Sequence, residues 1–136
     1  MRSSLAPSPA ILSFLAFDFG TRRVGVASGN SLTRSAAPLG TIAAQGAARL
    51  EAIDRLVAEW QPAALVVGVP FHPDGASHVN TERARRFGRQ LSARFGLPVH
   101  EVDERYSTTD ARAAGARDLD AAAAAIILEQ FLAGAP

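Results

Sequence analysis

The run Ala64–Val69 (A-L-V-V-G-V) constrains the fold more than any other segment of the chain. It is too short for a buried helix, and it lacks the alternation of a strand with one wet face. An uninterrupted apolar run of this length, bounded here by Pro62 and Pro70, reads as a strand covered on both faces. Layers must therefore lie above and below its sheet, and the flanking segments supply them. From Gln45 to Gln61 the residues Ala48, Leu50, Ile53, Leu56, Val57 and Trp60 recur at helical spacing, and Pro62 stops the helix. From Val79 to Phe95 a second helical stripe carries Val79, Ala84, Phe87, Leu91 and Phe95.

The remaining segments fit around this centre. Phe14–Phe19 is a short apolar strand, Gly20–Arg23 a turn, and Val24–Ser28 a returning strand. Ala37–Ile42 closes a three-stranded meander, and Leu97–Glu104 forms a later strand. Phe71–Ser77, with the turn pair Asp74-Gly75, reads as a mobile loop. Ser107-x-x-Asp110 has the form of a capping box, and Asp118 is placed to N-cap a final amphipathic helix. That helix would turn Ala124, Ile127, Leu128, Phe131 and Leu132 to the core. The order β-β-β-α-β-α-β-α predicts an α/β fold, one mixed sheet with helices on both faces. Residues 1–13 read as a flexible tail and residues 14–136 as one domain. The tail has no continuous apolar segment of the signal-peptide kind, and no segment approaches the roughly 18 apolar residues that span a bilayer.

Composition removes several function classes. There is no cysteine, which excludes disulfide frameworks, zinc knuckles and thiol nucleophiles and fits a reducing, cytoplasmic setting. The net charge of +1 is no global signature for nucleic acid, so such a partner must meet a local patch. All fourteen basic residues are arginine. Biased genome composition explains that choice, yet arginine is also the better bidentate phosphate ligand.

Acidic residues stand where strands end. Asp18 closes the apolar strand Phe14–Phe19, the pair Asp103-Glu104 closes another, and Asp120 opens the last helix. Carboxylates gathered at one place repel one another and call for cations. An all-oxygen donor set without His or Cys favours Mg²⁺ or Mn²⁺ over zinc. The period of a strand turns Asp103 and Glu104 to opposite faces but does not say which one belongs to the site. As plain structural features, Asp18 would be a strand-end cap, Glu104 a partner of Arg105 or Arg22, and Asp120 a routine first-turn residue. His72, His78 and His100 lack metal-ligand spacing.

The motifs F-D-F-G-T-R-R-V-G-V-A (17–27), A-P-L-G-T-I (37–42), L-V-V-G-V-P followed by D-G (65–75), G-L-P-V-H-E-V-D-E-R-Y-S-T (96–108) and D-A-A-A-A-A-I-I-L-E-Q-F-L (120–132) occur in that order. In this the chain resembles the YqgF-type, Holliday-junction-resolvase-like family of pre-16S rRNA nucleases, within the ribonuclease H-like superfamily. The resemblance implies a five-stranded ribonuclease H-like sheet. It places the catalytic, metal-holding acids on Asp18, Glu104 and Asp120, with two divalent ions, Mg²⁺ or Mn²⁺. It implies a nuclease that matures the 5′ end of pre-16S rRNA in ribosome biogenesis, with branched DNA as the alternative substrate and a non-catalytic RNA-binding assembly factor as the alternative role. The segment 105–119 is shorter and less basic than in many members, and Ser28-Gly29-Asn30 stands where many carry Ser-Asp.

Substrate contacts are expected from Arg22 and Arg23 on the first turn, from Arg83 and Arg86 on the second helix, and from Arg105. Arg85 and Arg89 share the polar side of that helix. A solvated helix face accounts for this cluster as well as a nucleic-acid track does. The expected partners are RNA or a pre-ribosomal particle, without a membrane, the chain acting as a monomer or weak homodimer. D-F-G-T also resembles the phosphate-binding opening of sugar kinases and actin, but those proteins close two such domains around the nucleotide.

Overall fold

The computed structural model describes residues 10–104, 115 and 117–134. Three helices and a five-stranded sheet are seen there: β1 (Ser13–Phe19), β2 (Val24–Asn30), β3 (Ala36–Ile42), α1 (Gly46–Trp60), β4 (Ala64–Val69), α2 (Thr81–Phe95), β5 (Val99–Asp103) and α3 (Leu119–Gly134). The strand order is β3-β2-β1-β4-β5. β1, β2 and β3 pair antiparallel, whereas β4 joins β1 and β5 in parallel. This is the mixed sheet that the order of elements predicts. Arg105 and the capping-box segment Ser107–Asp110 lie outside the described residues, as do residues 1–9 of the expected tail. Leu12, at the end of that tail, already exchanges hydrogen bonds with Ser31.

β4 sits between two strands, and all six of its residues are buried. Its Leu65, Val67 and Val69 join Leu15, Phe17, Val24, Val26, Ile53, Phe87 and Leu91 in a core under α1 and α2. Its Ala64 and Val66 pack with Phe14, Ala16, Val102, Ile127, Leu128 and Leu132 under α3. Each large side chain fully buried in these layers contributes about 1.5–3 kcal/mol. The two faces thus follow strand parity, with odd residues of β1 toward α1 and α2 and even residues toward α3.

α3 departs from the amphipathic helix expected of it. Ala121, Ala123, Ala124, Ala125, Ile126, Ile127 and Leu128 are all buried, so most of its circumference is covered. Small residues make this approach possible: Ala27 packs against Ala124 and Ala125. Side chains added at Gly25 or Gly29 of β2 would run into Asp120 or Leu128. The alanine run is a close-packing surface laid on the glycine and alanine positions of β2.

α2 is shorter than its sequence pattern suggests. It begins at Thr81, and Val79, expected on the apolar stripe, is 67% exposed. Thr81 is buried; its hydroxyl donates to the Pro70 carbonyl and accepts from the His78 amide. This fastens the end of β4 to the helix start and leaves Val79 outside. The helix stops at Gly96, whose φ of 64° is the left-handed conformation that favours glycine. The Phe71–Ser77 loop, expected to be mobile, is closed by a bridge between Phe71 and Ser77 and by hydrogen bonds joining His72 to Ala76 and Gly75. No helix among the described residues is long and apolar enough to cross a membrane.

Candidate active site

The site grows from Asp18. As an even residue of β1 it belongs to the α3 face, and in register it lies between Gly25 of β2 and Gly68 of β4. Neither neighbour has a side chain, and other groups occupy the space those side chains would take. A Cβ at Gly25 would overlap the backbone carbonyl of Asp120. A Cβ at Gly68 would come within 3.2 Å of the Glu104 carboxyl carbon and 2.5 Å of Ile127 Cδ1. The structure therefore brings Asp18, Glu104 and Asp120 to one end and one face of the sheet, around two glycine gaps.

Glu104 is separated from Asp103 by the same geometry. His100 stacks near Phe131 of α3 with ring centroids 4.9 Å apart, and Val102 is buried under α3. Glu101, in contrast, pairs with Arg85 of α2. Even residues of β5 therefore face α3. Glu104 follows that parity and Asp103 the other, as the Gly68 contact confirms.

Asp120 is positioned by the start of α3. Asp118 is the N-cap, as its sequence position suggests: its carboxylate accepts from the Ala121 amide at 3.0 Å and from the Thr41 hydroxyl at 2.7 Å. The Ala121 amide first, and then Thr41, hold the Asp118 carboxyl below the usual carboxylate range, with burial opposing them. The Thr41 bond also ties β3 to the helix that carries Asp120. The Asp120 carboxylate meets Arg23 Nε at 3.0 Å. That ion pair is half-exposed and of modest strength, but it relieves repulsion among the three acids. Arg23 thus faces a carboxylate in this structure, where the sequence suggests a phosphate.

The donor set suits a divalent metal ion. It consists of carboxylate oxygens only, and the missing side chains at Gly25 and Gly68 let the Asp120 backbone and the Glu104 carboxyl group approach β1. Among the described residues, no three Asp, Glu or His side chains are gathered closely enough to hold an ion as they stand. The Arg23 cation is the counter-charge that Asp120 uses here.

The remaining arginines are spread over two faces. Arg22 is exposed on the turn after β1. Gly20 of that turn has its missing Cβ position taken by the Arg23 carbonyl at 2.5 Å, so this glycine serves the tight turn. Arg85, on the polar side of α2, pairs with Glu101 at 3.3 Å and covers the Phe71 ring; Arg89 pairs with Glu82 at 2.6 Å. Arg83 and Arg86 line a groove of about 240 Å³ between α1 and α2. Arg49, not among the residues expected to contact substrate, lines it too. Its signal was a charge on the apolar stripe of α1, four residues before Ile53.

The family model of RuvX, described as Holliday junction resolvase, matches residues 12–134. A relative from Polaromonas sp., named "Putative pre-16S rRNA nuclease", is 66% identical over 137 residues, covering 98% of this chain and 99% of its own. One of the same name from Albidiferax ferrireducens is 68% identical over 120 residues, covering 88% and 77%. Among solved structures, Thermus thermophilus RuvC in complex with Holliday junction substrate aligns with a TM-score of 0.53 at 13% identity, covering 89% of this chain and 93% of that one. At that identity the likeness shows the fold, which is ribonuclease H-like. A match across nearly the whole chain, together with relatives this close, establishes that the chain belongs to the RuvX family.

Proposed function

We propose that this chain is a metal-dependent endonuclease that hydrolyses phosphodiester bonds in structured RNA and matures the 5′ end of pre-16S rRNA. The observation that carries the reading is that Asp18, Glu104 and Asp120 stand at one end and on one face of the sheet, beside Gly25 and Gly68. The name borne by the relatives at 66% and 68% identity favours an rRNA precursor over other substrates. Branched DNA is the second reading, favoured by the family description and by the RuvC structure solved with a Holliday junction.

Asp18, Glu104 and Asp120 are the residues that would hold the cation. Mg²⁺ or Mn²⁺, as a pair, would supply activation of a water and charge stabilisation at the leaving oxygen. Asp18 is anchored at the end of a central strand, paired on both sides, which suits a residue that must hold its position. Asp120 stands in the first turn of α3, the end of a helix where negative charge is well placed. Arg23 can leave Asp120 for a substrate phosphate, with Arg22 beside it on the exposed turn. Arg83, Arg86 and Arg105 would grip phosphates further along. The protein would work in the cytoplasm as a monomer or weak homodimer.

The test is cleavage of an RNA spanning the 5′ precursor end of 16S rRNA by the wild-type chain and by Asp18→Asn, in Mn²⁺, Mg²⁺ and EDTA. A four-way DNA junction runs in parallel. The expected result is metal-dependent RNA cleavage that the substitution abolishes. Cleavage of the junction alone would move the substrate to branched DNA. Cleavage of neither, with RNA still bound, would leave an assembly factor.

A further inference from the structure

α2 carries five arginines, and the structure sorts them. Arg85, Arg89 and Arg94 are neutralised by Glu101, Glu82 and Asp54 at 3.3, 2.6 and 2.7 Å. Among the described residues, neither Arg83 nor Arg86 makes an ion pair; Arg83 donates only to the Asn80 side chain at 3.3 Å. These two are the arginines of α2 that line the groove beside α1, with Gln90 next to them and Gly46 at the start of α1 opposite. Among the described residues, no acidic residue lines this groove, and none stands in the first turn of α1.

Arg49 makes the groove a built feature. Arg49 is only 7% exposed, yet among the described residues no carboxylate meets it. Its guanidinium donates to the carbonyls of Ala44 at 2.8 Å and Thr21 at 3.2 Å and lies 5.5 Å from the Phe19 ring centroid. A buried cation without an anion is costly, and burial accordingly pushes the Arg49 guanidinium pKa down. Two carbonyls use part of its donor capacity, since a guanidinium has five N–H groups. The charge adds to those of Arg83 and Arg86 in a partly enclosed site, where fields are less screened than on an open surface.

The position of the groove gives this charge a direction. Phe19, which lines it, follows Asp18 in the chain and points to the opposite face. Arg49 also grips the Thr21 carbonyl of the turn that carries Arg22 and Arg23. The groove and the acids therefore open at the same end of the sheet, separated by the turn 20–23. Guanidinium groups bind phosphate oxygens bidentately. We propose that Arg49, Arg83 and Arg86 form a phosphate-binding subsite on the α1–α2 face, which holds the backbone of a nucleic acid away from the bond at Asp18. The choice of polymer rests on the nuclease reading above; the binding is measured without cleavage.

The experiment uses the whole chain in EDTA, with a fluorescein-labelled RNA spanning the 5′ precursor end of 16S rRNA, read by anisotropy across a salt titration. Arg83→Ser/Arg86→Ser is compared with the charge-matched Arg89→Ser/Arg94→Ser, both checked for folding by circular dichroism. The groove variant is expected to weaken binding on the order of tenfold and to lower the salt slope by roughly 1.4–1.8, at 0.7–0.9 per phosphate contact. The charge-matched variant should change binding less than about twofold. Equal losses in the two variants, or no RNA binding by the wild-type chain, would overturn the proposal. Inorganic phosphate is titrated separately, with thermal stability as the readout. If it stabilises the wild type through Arg83 and Arg86 while RNA affinity ignores both, the site takes free phosphate and the polymer assignment falls. Failure of the nuclease reading is seen elsewhere, as absent cleavage with RNA binding and its dependence on the groove intact.

Discussion

Asp18 and Phe19 are neighbours in the chain and lie on opposite faces of one sheet, and the two faces are built by different means. On the α3 face the decisive feature is what is missing. Gly25 and Gly68 remove side chains so that the Asp120 backbone and the Glu104 carboxylate can lie beside Asp18. On the α1–α2 face the decisive feature is what is left over. Among the described residues, Arg83 and Arg86 remain after the neighbouring arginines have found carboxylates, and Arg49 is buried with none. An acidic site depends on close backbone approach, whereas a basic groove depends on incomplete pairing. Substitutions should therefore act on the two faces with very different force.

The largest effect is expected from Gly25→Ala. The added methyl overlaps backbone of α3, which cannot yield as a side-chain end can. Destabilisation of about 3 kcal/mol or more is expected from urea unfolding, and a variant as stable as the wild type would show that α3 can shift. Gly68→Ala should cost less, about 1–2 kcal/mol, because the atoms it meets are Ile127 Cδ1 and the end of Glu104. It should nevertheless displace Glu104 and weaken metal binding beyond what its stability loss explains.

Asp118→Ala comes next, with a loss of about 1 kcal/mol at neutral pH from the missing cap. The folded Asp118 carboxyl is held below its ordinary range by the Ala121 amide and Thr41. Its contribution is therefore present above the unfolded carboxylate pKa and is lost as pH falls through the lower, folded value. Asp118→Asn keeps a competent cap but removes this titration, so its stability should fall less than the wild type's on acidification. Equal acid sensitivity in the two would contradict the assignment. The smallest effect is expected on the other face. Arg94 makes two hydrogen bonds of 2.7 Å to Asp54 and holds that carboxyl low, but the pair is open to solvent. Asp54→Asn should shift the thermal midpoint little, and high salt should erase the difference.

The contrast between the faces also marks what could be read in the sequence. The order of elements and the mixed, doubly covered sheet followed from apolar patterning, because Ala64–Val69 demands cover on both sides and the other elements alternate around it. Acidic residues at strand ends were visible because a carboxylate interrupts an apolar run. Choosing Glu104 over Asp103 was not possible from the residues alone, since parity needs a fixed partner and Gly68 under α3 supplies it only in three dimensions. Gly25 and Gly68 gave no signal, because a glycine within a strand reads locally as a weak point. The alanine run read only as part of an amphipathic helix, because its close packing depends on Ala27 of β2, which meets Ala124 and Ala125. Likewise, the ion pairs that set Arg85 and Arg94 apart from Arg83 and Arg86 could not be read from the helix alone, because Glu101 and Asp54 lie on other elements.

The central claim is that Asp18, Glu104 and Asp120 form one cation site and that Asp103 stands outside it. The most direct test is Mn²⁺ binding to the wild-type chain and to Asp18→Asn, Glu104→Gln, Asp120→Asn and Asp103→Asn, measured by calorimetry without substrate. Each of the first three is expected to weaken Mn²⁺ affinity by about tenfold or more, while Asp103→Asn should bind as the wild type does. Wild-type affinity in Glu104→Gln or Asp120→Asn, or a loss in Asp103→Asn as large as theirs, would contradict it.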